Sequence, residues 1–201
     1  MICVYLGCII HAIVTIGGAI TFYARLNPVR FFKGIIDALA VAYSTASSSG
    51  TLPITMRCAR KNLGVSDGMA SFVLPLGATI NMDGTAMYQG VAALFIAQAY
   101  GIDLQFGHYV TIILTSTLAS IGSAGVPGAG LIMLTLVLNS VGLPVEGIAL
   151  IAGIDRVLDM ARTTVNVTGD CMVTVVIAQS ENELDLKTYN ICILELEKKL
   201  A

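Results

Sequence analysis

Charge is scarce in this chain: Asp, Glu, Lys and Arg make up 12% of its 201 residues, against roughly a quarter in soluble domains. Hydrophobic residues reach 56% and the mean hydropathy is +0.83, which together imply a membrane protein. A net charge of −2 provides no basic surface for nucleic acid. The two histidines are too few for a histidine-built metal site. Cys3, Cys8, Cys58, Cys171 and Cys192 show neither paired metal-ligand spacing nor a secreted disulfide framework. Cys3 and Cys8 read as packing residues of an apolar helix. That run, 2–22, has no basic region before it and is too long for a signal-peptide core, so it reads as a spanning helix. Its start directly after Met1 fits a fragment or short form of a longer protein. No soluble linker or low-complexity stretch interrupts the rest, which reads as one domain.

What is present is a pair of apolar segments interrupted by small residues. The first runs over 34–45, breaks at Ala46-Ser47-Ser48-Ser49-Gly50 and resumes over 51–56. The second runs over 108–119, breaks across 120–130 (Ser-Ile-Gly-Ser-Ala-Gly-Val-Pro-Gly-Ala-Gly) and resumes over 131–141. Unpaired backbone groups cannot face lipid, so such tips must sit in protein or line a watery cavity. Paired interrupted segments point to a secondary transporter's binding site.

Charge placement sets the topology. Arg25, Arg30 and Lys33 precede the first broken segment, and Arg57, Arg60 and Lys61 follow it. A crossing would put these clusters on opposite sides, against the positive-inside rule. A re-entrant hairpin keeps both in the cytoplasm. Each arm, at about a dozen residues or roughly 18 Å, is too short for a core of about 30 Å. The loops at 101–107 and 142–147 lack Lys and Arg and read as external. Lys187, Lys198 and Lys199 place the tail inside. The expected fold class is an all-α membrane protein with three spanning helices (1–26, 68–100 and 148–178), two oppositely oriented re-entrant hairpins (31–61 and 108–141) and a cytoplasmic tail (179–201). Its hairpin-plus-span unit occurs twice as an inverted repeat.

The last span carries the chemistry. Asp155, Asp159, Arg162, Thr163, Asn166 and Asp170 follow one another at offsets of 4, 7, 8, 11 and 15 from the first, so they share one helix face. Val157, Leu158, Met160, Val165 and Val167 occupy the other faces. Charges at membrane depth need partners, substrate or cations; a plain ion-pair stripe locking helices together is the alternative. In the preceding span, Asn81-Met82-Asp83-Gly84-Thr85 weakens the helix. An unwound stretch there would offer carbonyls and the Asp83 carboxylate to a small cation. The tips can aim helix N-termini and bare amides at an anion, with hydroxyls from Ser47–Ser49 at the first. The sequon Asn166-Val167-Thr168 falls inside a span and is a decoy. Arg156, about 100° around the helix from Asp155, has no partner legible in the sequence. A channel would use the same stripe but needs a continuous water path. An enzyme lacks a nucleophile–base pair, since Ser47–Ser49 have no neighbouring histidine and His11 and His108 are placed near membrane ends.

Four motifs resemble a known family. These are Ser47-Ser48-Ser49-Gly50-Thr51-Leu52-Pro53; Leu74-Pro75-Leu76-Gly77-Ala78-Thr79-Ile80-Asn81-Met82-Asp83-Gly84-Thr85; the stretch 119–130; and the stretch from Gly153-Ile154-Asp155 to Gly169-Asp170. In this order, across about residues 1–178, they resemble the dicarboxylate/amino acid:cation symporters, which are the glutamate/aspartate transporters and their archaeal and bacterial homologues. The chain looks like the C-terminal half, an elevator-type transport domain without its scaffold half.

The resemblance implies sodium-coupled uptake of aspartate or glutamate by a homotrimer in the plasma or inner membrane. Arg162 would meet the substrate side-chain carboxylate and Asp159 its amine. Thr163, Asn166 and Thr85 would add hydrogen bonds, with Ser47, Ser48, Val126 and Gly130 at the closing tips. One sodium site would use Asp170 with carbonyls of Gly77, Asn81 and Asn166. A second would use carbonyls of Thr79, Ser120, Ile121 and Ser123 beside Met82, and a third would use Asn81 and Asp83 with residues from outside this chain. Proton coupling or a dicarboxylate substrate is the family's alternative. Arg162 favours an acidic side chain, and Asp159 favours an amine. Gln89 stands where proton-coupled mammalian relatives carry Glu. Ala46 and Met160 stand where many members place one further arginine.

Overall fold

The computed structural model describes residues 1–190; Cys192, Lys198, Lys199 and the rest of 191–201 lie outside the described residues. Among the described residues the regular structure is helical, apart from one isolated bridge between Val65 and Leu184. The chain starts with α1 (Ile2–Ile10), a wide π turn (His11–Ile16) and α2 (Gly17–Phe22). They form one rod of 21 residues, long and apolar enough to cross a membrane. A short α3 (Pro28–Gly34) opens with Asn27 capping the Val29 amide and proline in the first turn.

Two helical hairpins follow, separated by a broken helix. The first hairpin is α4 (Ile36–Thr45) and α5 (Ser48–Lys61). Its tip is only Ala46 and Ser47, narrower than the five residues that composition marks as the break. Ala46 is left-handed (φ 53°, ψ 39°), and the extended Ser47 caps the Gly50 amide at 3.0 Å. The serines that read as loop are thus the first turn of a capped helix. Next come α6 (Asp67–Ile80) and α7 (Asp83–Ala99). The unwinding is confined to Asn81 and Met82, and Asp83-Gly84-Thr85 already belongs to α7. The second hairpin is α8 (Phe106–Ile121) and α9 (Ala129–Ser140), with Gly128 left-handed (φ 79°) before α9. A single-turn 3-10 element (Val145–Ile148) leads into α10 (Ala149–Ser180), unbroken for 32 residues.

Two apolar clusters hold these elements, and α10 threads both. One gathers Phe31, Ile35, Leu63 and Leu74 around Val167, Cys171 and Val175 of α10. The other gathers Tyr88, Ile96, Leu134 and Leu138 around Ile151, Leu158 and Val165. The polar stripe of α10 lies where the two meet.

Backbone ties gather the chain's turns at one end. The Tyr189 hydroxyl donates to the Asn27 carbonyl (3.0 Å) and the Asn62 amide to the Gly34 carbonyl (2.7 Å). Ser66 N donates to the Glu183 carbonyl (3.0 Å), and Asp185 N to that of Gly64 (2.8 Å). Both basic clusters flank these ties. Elsewhere Gly147 packs on Ile96 and Tyr100, joining the two loops that carry no Lys or Arg.

Candidate functional site

Three helix N-termini, those of α5, α7 and α9, open at the three breaks. The C-termini of α4, α6 and α8 end at the same places. The site therefore presents amide ends, which favour anions, beside carbonyl ends, which favour cations. The breaks touch: Ser47 Oγ (2.8 Å) and Ser49 N (3.1 Å) both donate to the Gly125 carbonyl. Contact this close requires glycine. A Cβ at Gly125 would lie 2.6 Å from Ser49 Oγ and 2.9 Å from the Ala78 carbonyl. Gly125→Ala is expected to pry the tips apart and weaken substrate binding at least about tenfold, an effect of the size of one lost charge-supported hydrogen bond. Ligand titration against the parent protein reads it.

Beneath the tips lies a nearly filled cavity of about 10 Å³, lined by Ser48, Met82, Thr85, Ser123, Val126, Gly130, Asp159, Arg162, Thr163 and Asn166 among others. That is room for about one water, so a larger ligand enters only as the tips part or as Arg162 and Asp159 release each other. All of the stripe residues from Asp155 to Asp170 are buried, with Arg162 only 1% exposed. Arg162 grips Asp155 with two bonds, Nη1 to Oδ1 at 2.9 Å and Nη2 to Oδ2 at 3.3 Å, and its Nε donates to Asp159 Oδ1 at 2.9 Å. Its guanidinium carbon stands 4.1 Å from the Tyr88 ring centroid, a cation–π contact. Asp159 Oδ2 accepts from the Gly128 amide at 2.8 Å, and the Thr163 hydroxyl donates to Oδ1 at 3.4 Å. The ion-pair stripe and the ligand cavity are therefore one arrangement. Arg162 and Asp159 bond each other across the space that the resemblance assigns to substrate.

Asn166 organises the broken helix. Its Oδ1 accepts from Gly84 N (2.8 Å), and its Nδ2 donates to Thr85 Oγ1 and to Met82 Sδ (both 3.2 Å). One step deeper, Asn81 Nδ2 donates to Asp170 Oδ1 (2.9 Å) and to the Asn166 carbonyl (3.4 Å). Gly77 faces Asp170 so closely that a Cβ would sit 2.7 Å from Oδ1. Gly77, Asn81, Asn166 and Asp170 thus form one cluster. Thr79, Ser120, Ile121 and Ser123 lie at the facing ends of α6 and α8, which pack together. Thr79 and Ile121 are exposed, Ser120 is buried, and the buried Ser123 Oγ has no hydrogen-bond partner.

Three residues, Tyr88, Gln89 and His11, escape the sequence reading of the site, and Asp155, which that reading put on the polar stripe without a role, gains one. Asp155 is Arg162's two-bond partner, and its seven-residue offset on the same face was the available signal. Tyr88 follows Thr85 by three and so shares its face of α7. Gln89 Nε2 donates to the Gly130 carbonyl at 3.3 Å, tying α7 to the second tip. His11 corrects an expectation: it lies mid-way along the first rod rather than near an end, and its Nε2 meets Asp83 Oδ2 at 3.1 Å. A titratable residue inside an apolar helix was itself the signal. Asp83 therefore meets the first rod while its carboxylate stays beside Gly169 and Asn81, at the edge of the Asp170 cluster: a Cβ at Gly169 would lie 3.2 Å from Asp83 Oδ2 and 2.6 Å from Asn81 Nδ2. His108 instead caps the start of α8 with Gln105.

Broken helices meeting around a buried charged cavity are the build of a secondary transporter's binding site. The chain belongs to the sodium:dicarboxylate symporter family, whose sequence profile it matches over residues 1–180. It is 50% identical over 186 residues to human excitatory amino acid transporter 2, covering 92% of this chain and 32% of that protein. A Caenorhabditis elegans excitatory amino acid transporter is 51% identical over 172 residues, covering 86% of this chain and 34% of that one. Rat excitatory amino acid transporter 1 is 47% identical over 200 residues, covering 98% and 37%. The chain spans about a third of the length of these relatives.

Proposed function

We infer that this chain is the substrate-carrying part of a sodium-coupled symporter for an acidic amino acid. The observation that carries the reading is the buried Arg162 beside Asp159, set in a small cavity under two hairpin tips. A guanidinium offers a planar fork for a carboxylate, while Asp159 offers an acceptor for an ammonium. An entering aspartate or glutamate exchanges the Arg162–Asp159 bond for one bond to each. Asp155 keeps its two-bond grip and holds the guanidinium in place. Thr85, Thr163 and Asn166 add polar contacts, and the amide ends at Ser48, Val126 and Gly130 receive the second carboxylate.

Charge supplies the reason for coupling to cations. The buried Asp155, Asp159 and Asp170 stand against the buried guanidinium of Arg162, with the half-buried Asp83 beside His11, and an acidic amino acid brings a further net negative charge. Burying that excess in a medium of low dielectric is costly unless cations enter with it. Sodium, carried as a co-substrate, fits hard oxygen donors. The Asp170 cluster with Gly77, Asn81 and Asn166 offers one such set. The facing ends of α6 and α8 at Thr79, Ser120, Ile121 and Ser123 offer another. Asn81 with Asp83 offers part of a third.

In this reading the two hairpins are re-entrant, one from each side, and the chain is multi-pass with both basic clusters cytoplasmic. The longer relatives fit a missing scaffold against which this part moves as an elevator, within a homotrimer. Calorimetric titration of the full-length protein tests the ligand. L-aspartate and L-glutamate bind in sodium and fail to bind without it, whereas alanine and succinate do not bind in either condition. Equal binding of succinate would remove the role given to Asp159.

A further inference from the structure

Arg156 is exposed and points away from the buried stripe. A guanidinium on a helix among apolar neighbours needs a partner, and here the partner is the first hairpin. Arg156 Nη2 donates to the Ser44 carbonyl at 3.2 Å. Ser44 lies in the last turn of α4, where carbonyls lack donor partners within the helix and the dipole is negative. Ala46 N takes the Ala42 carbonyl (2.9 Å) and the Ser44 hydroxyl turns back to Val41 (3.0 Å), which leaves the Ser44 carbonyl to Arg156. Beside it, the Tyr5 hydroxyl donates to the Val157 carbonyl at 2.9 Å, pinning α1 to the same turn of α10.

These contacts form part of a closed circuit. Two residues beyond Ser44, the chain turns through the left-handed Ala46 (φ 53°), a conformation that a residue with a Cβ holds only when its surroundings fix it. The next residues, Ser47 and Ser49, hold the Gly125 carbonyl, and three residues further on Gly128 N holds Asp159. The circuit leaves α10 at Arg156, passes through both tips, and returns to α10 one turn later.

We propose that Arg156 is a positioning residue, a latch that sets the first tip and, through Gly125, the second tip over the cavity. It raises affinity for the acidic amino acid without touching it. The choice of ligand rests on the function proposed above; the latch itself rests on the hydrogen-bond circuit.

The test uses full-length protein carrying Arg156→Met or Arg156→Lys. One arm measures L-aspartate affinity in sodium. The second adds Ser48→Cys, buried under the tip, in a Cys3→Ser background and measures the rate of maleimide labelling without substrate. Arg156→Met raises the Kd roughly tenfold, the scale of one hydrogen bond to a charged group, and speeds labelling by about as much. Arg156→Lys, still cationic at the helix end, stays within about threefold of the parent on both. An Arg156→Met protein with parental Kd and labelling rate, even if it melts earlier, overturns the latch. If the parent protein binds no L-aspartate, the ligand assignment has failed instead, and the labelling rates alone decide the latch.

Discussion

Arg162→Lys lowers affinity for L-aspartate by about 100-fold or more while the helical fold persists. Arg162 uses three nitrogens at once, two on Asp155 and one on Asp159. A lysine is a point donor without the planar fork, so it cannot hold Asp155 and also present a second edge to a substrate carboxylate. Bonds to charged groups contribute about 1.5–3 kcal/mol each. Losing the substrate-facing bond together with its preorganisation costs about 3 kcal/mol, which is roughly two powers of ten in Kd. Lysine is the informative substitution because it keeps a cation between two buried carboxylates. Arg162→Ala removes that cation and leaves Asp155 and Asp159 uncompensated, a destabilisation of about 3–5 kcal/mol that would confuse folding with binding. Titration with L-aspartate beside a thermal melt separates the two. Parental affinity in a folded Arg162→Lys protein would remove the acidic-substrate assignment.

Asp170→Asn moves a different quantity. It raises the sodium concentration for half-maximal L-aspartate binding by about tenfold or more. At saturating sodium the substrate Kd stays within a few-fold of the parent. Asp170 is 3% exposed and does not line the cavity that holds Arg162. Its observed side-chain donor, among the described residues, is Asn81 on Oδ1. One amide does not compensate a buried carboxylate, and a cation is the natural second partner. Asparagine keeps the shape beside Gly77 and an oxygen for Asn81, so the fold survives while the charge that attracts sodium is gone. Sodium titrations at fixed L-aspartate read this directly. An unchanged sodium midpoint would exclude Asp170 from cation binding.

What could be read in advance follows from the range of each interaction. The face shared by Asp155, Asp159, Arg162, Asn166 and Asp170 is a matter of helical period, and the structure buries all five along one side of α10. The break at Asn81 lay in the composition, although its length did not. Capping residues and loop residues are chemically alike, so Ser48–Gly50 read as tip when Ser47 makes them the first turn of α5. The contacts that assemble the site were beyond reach of local pattern. Ser47 and Gly125 are 78 positions apart, His11 and Asp83 are 72 apart, and Arg156 and Ser44 are 112 apart. No spacing rule pairs such residues; tertiary packing does. The four motifs bring Ser48, Thr85, Val126, Gly130, Asp159, Arg162, Thr163 and Asn166 to one cavity, a gathering that the resemblance implies and local pattern does not.

The most direct measurement is uptake of labelled L-aspartate into liposomes holding the full-length protein, driven by an inward sodium gradient or, separately, by a proton gradient. The sites assigned to Arg162, Asp159, Asp83 and Asp170 predict uptake under the sodium gradient alone, competed by glutamate but not by alanine or succinate. Uptake driven by protons without sodium, or none under either gradient, would contradict them.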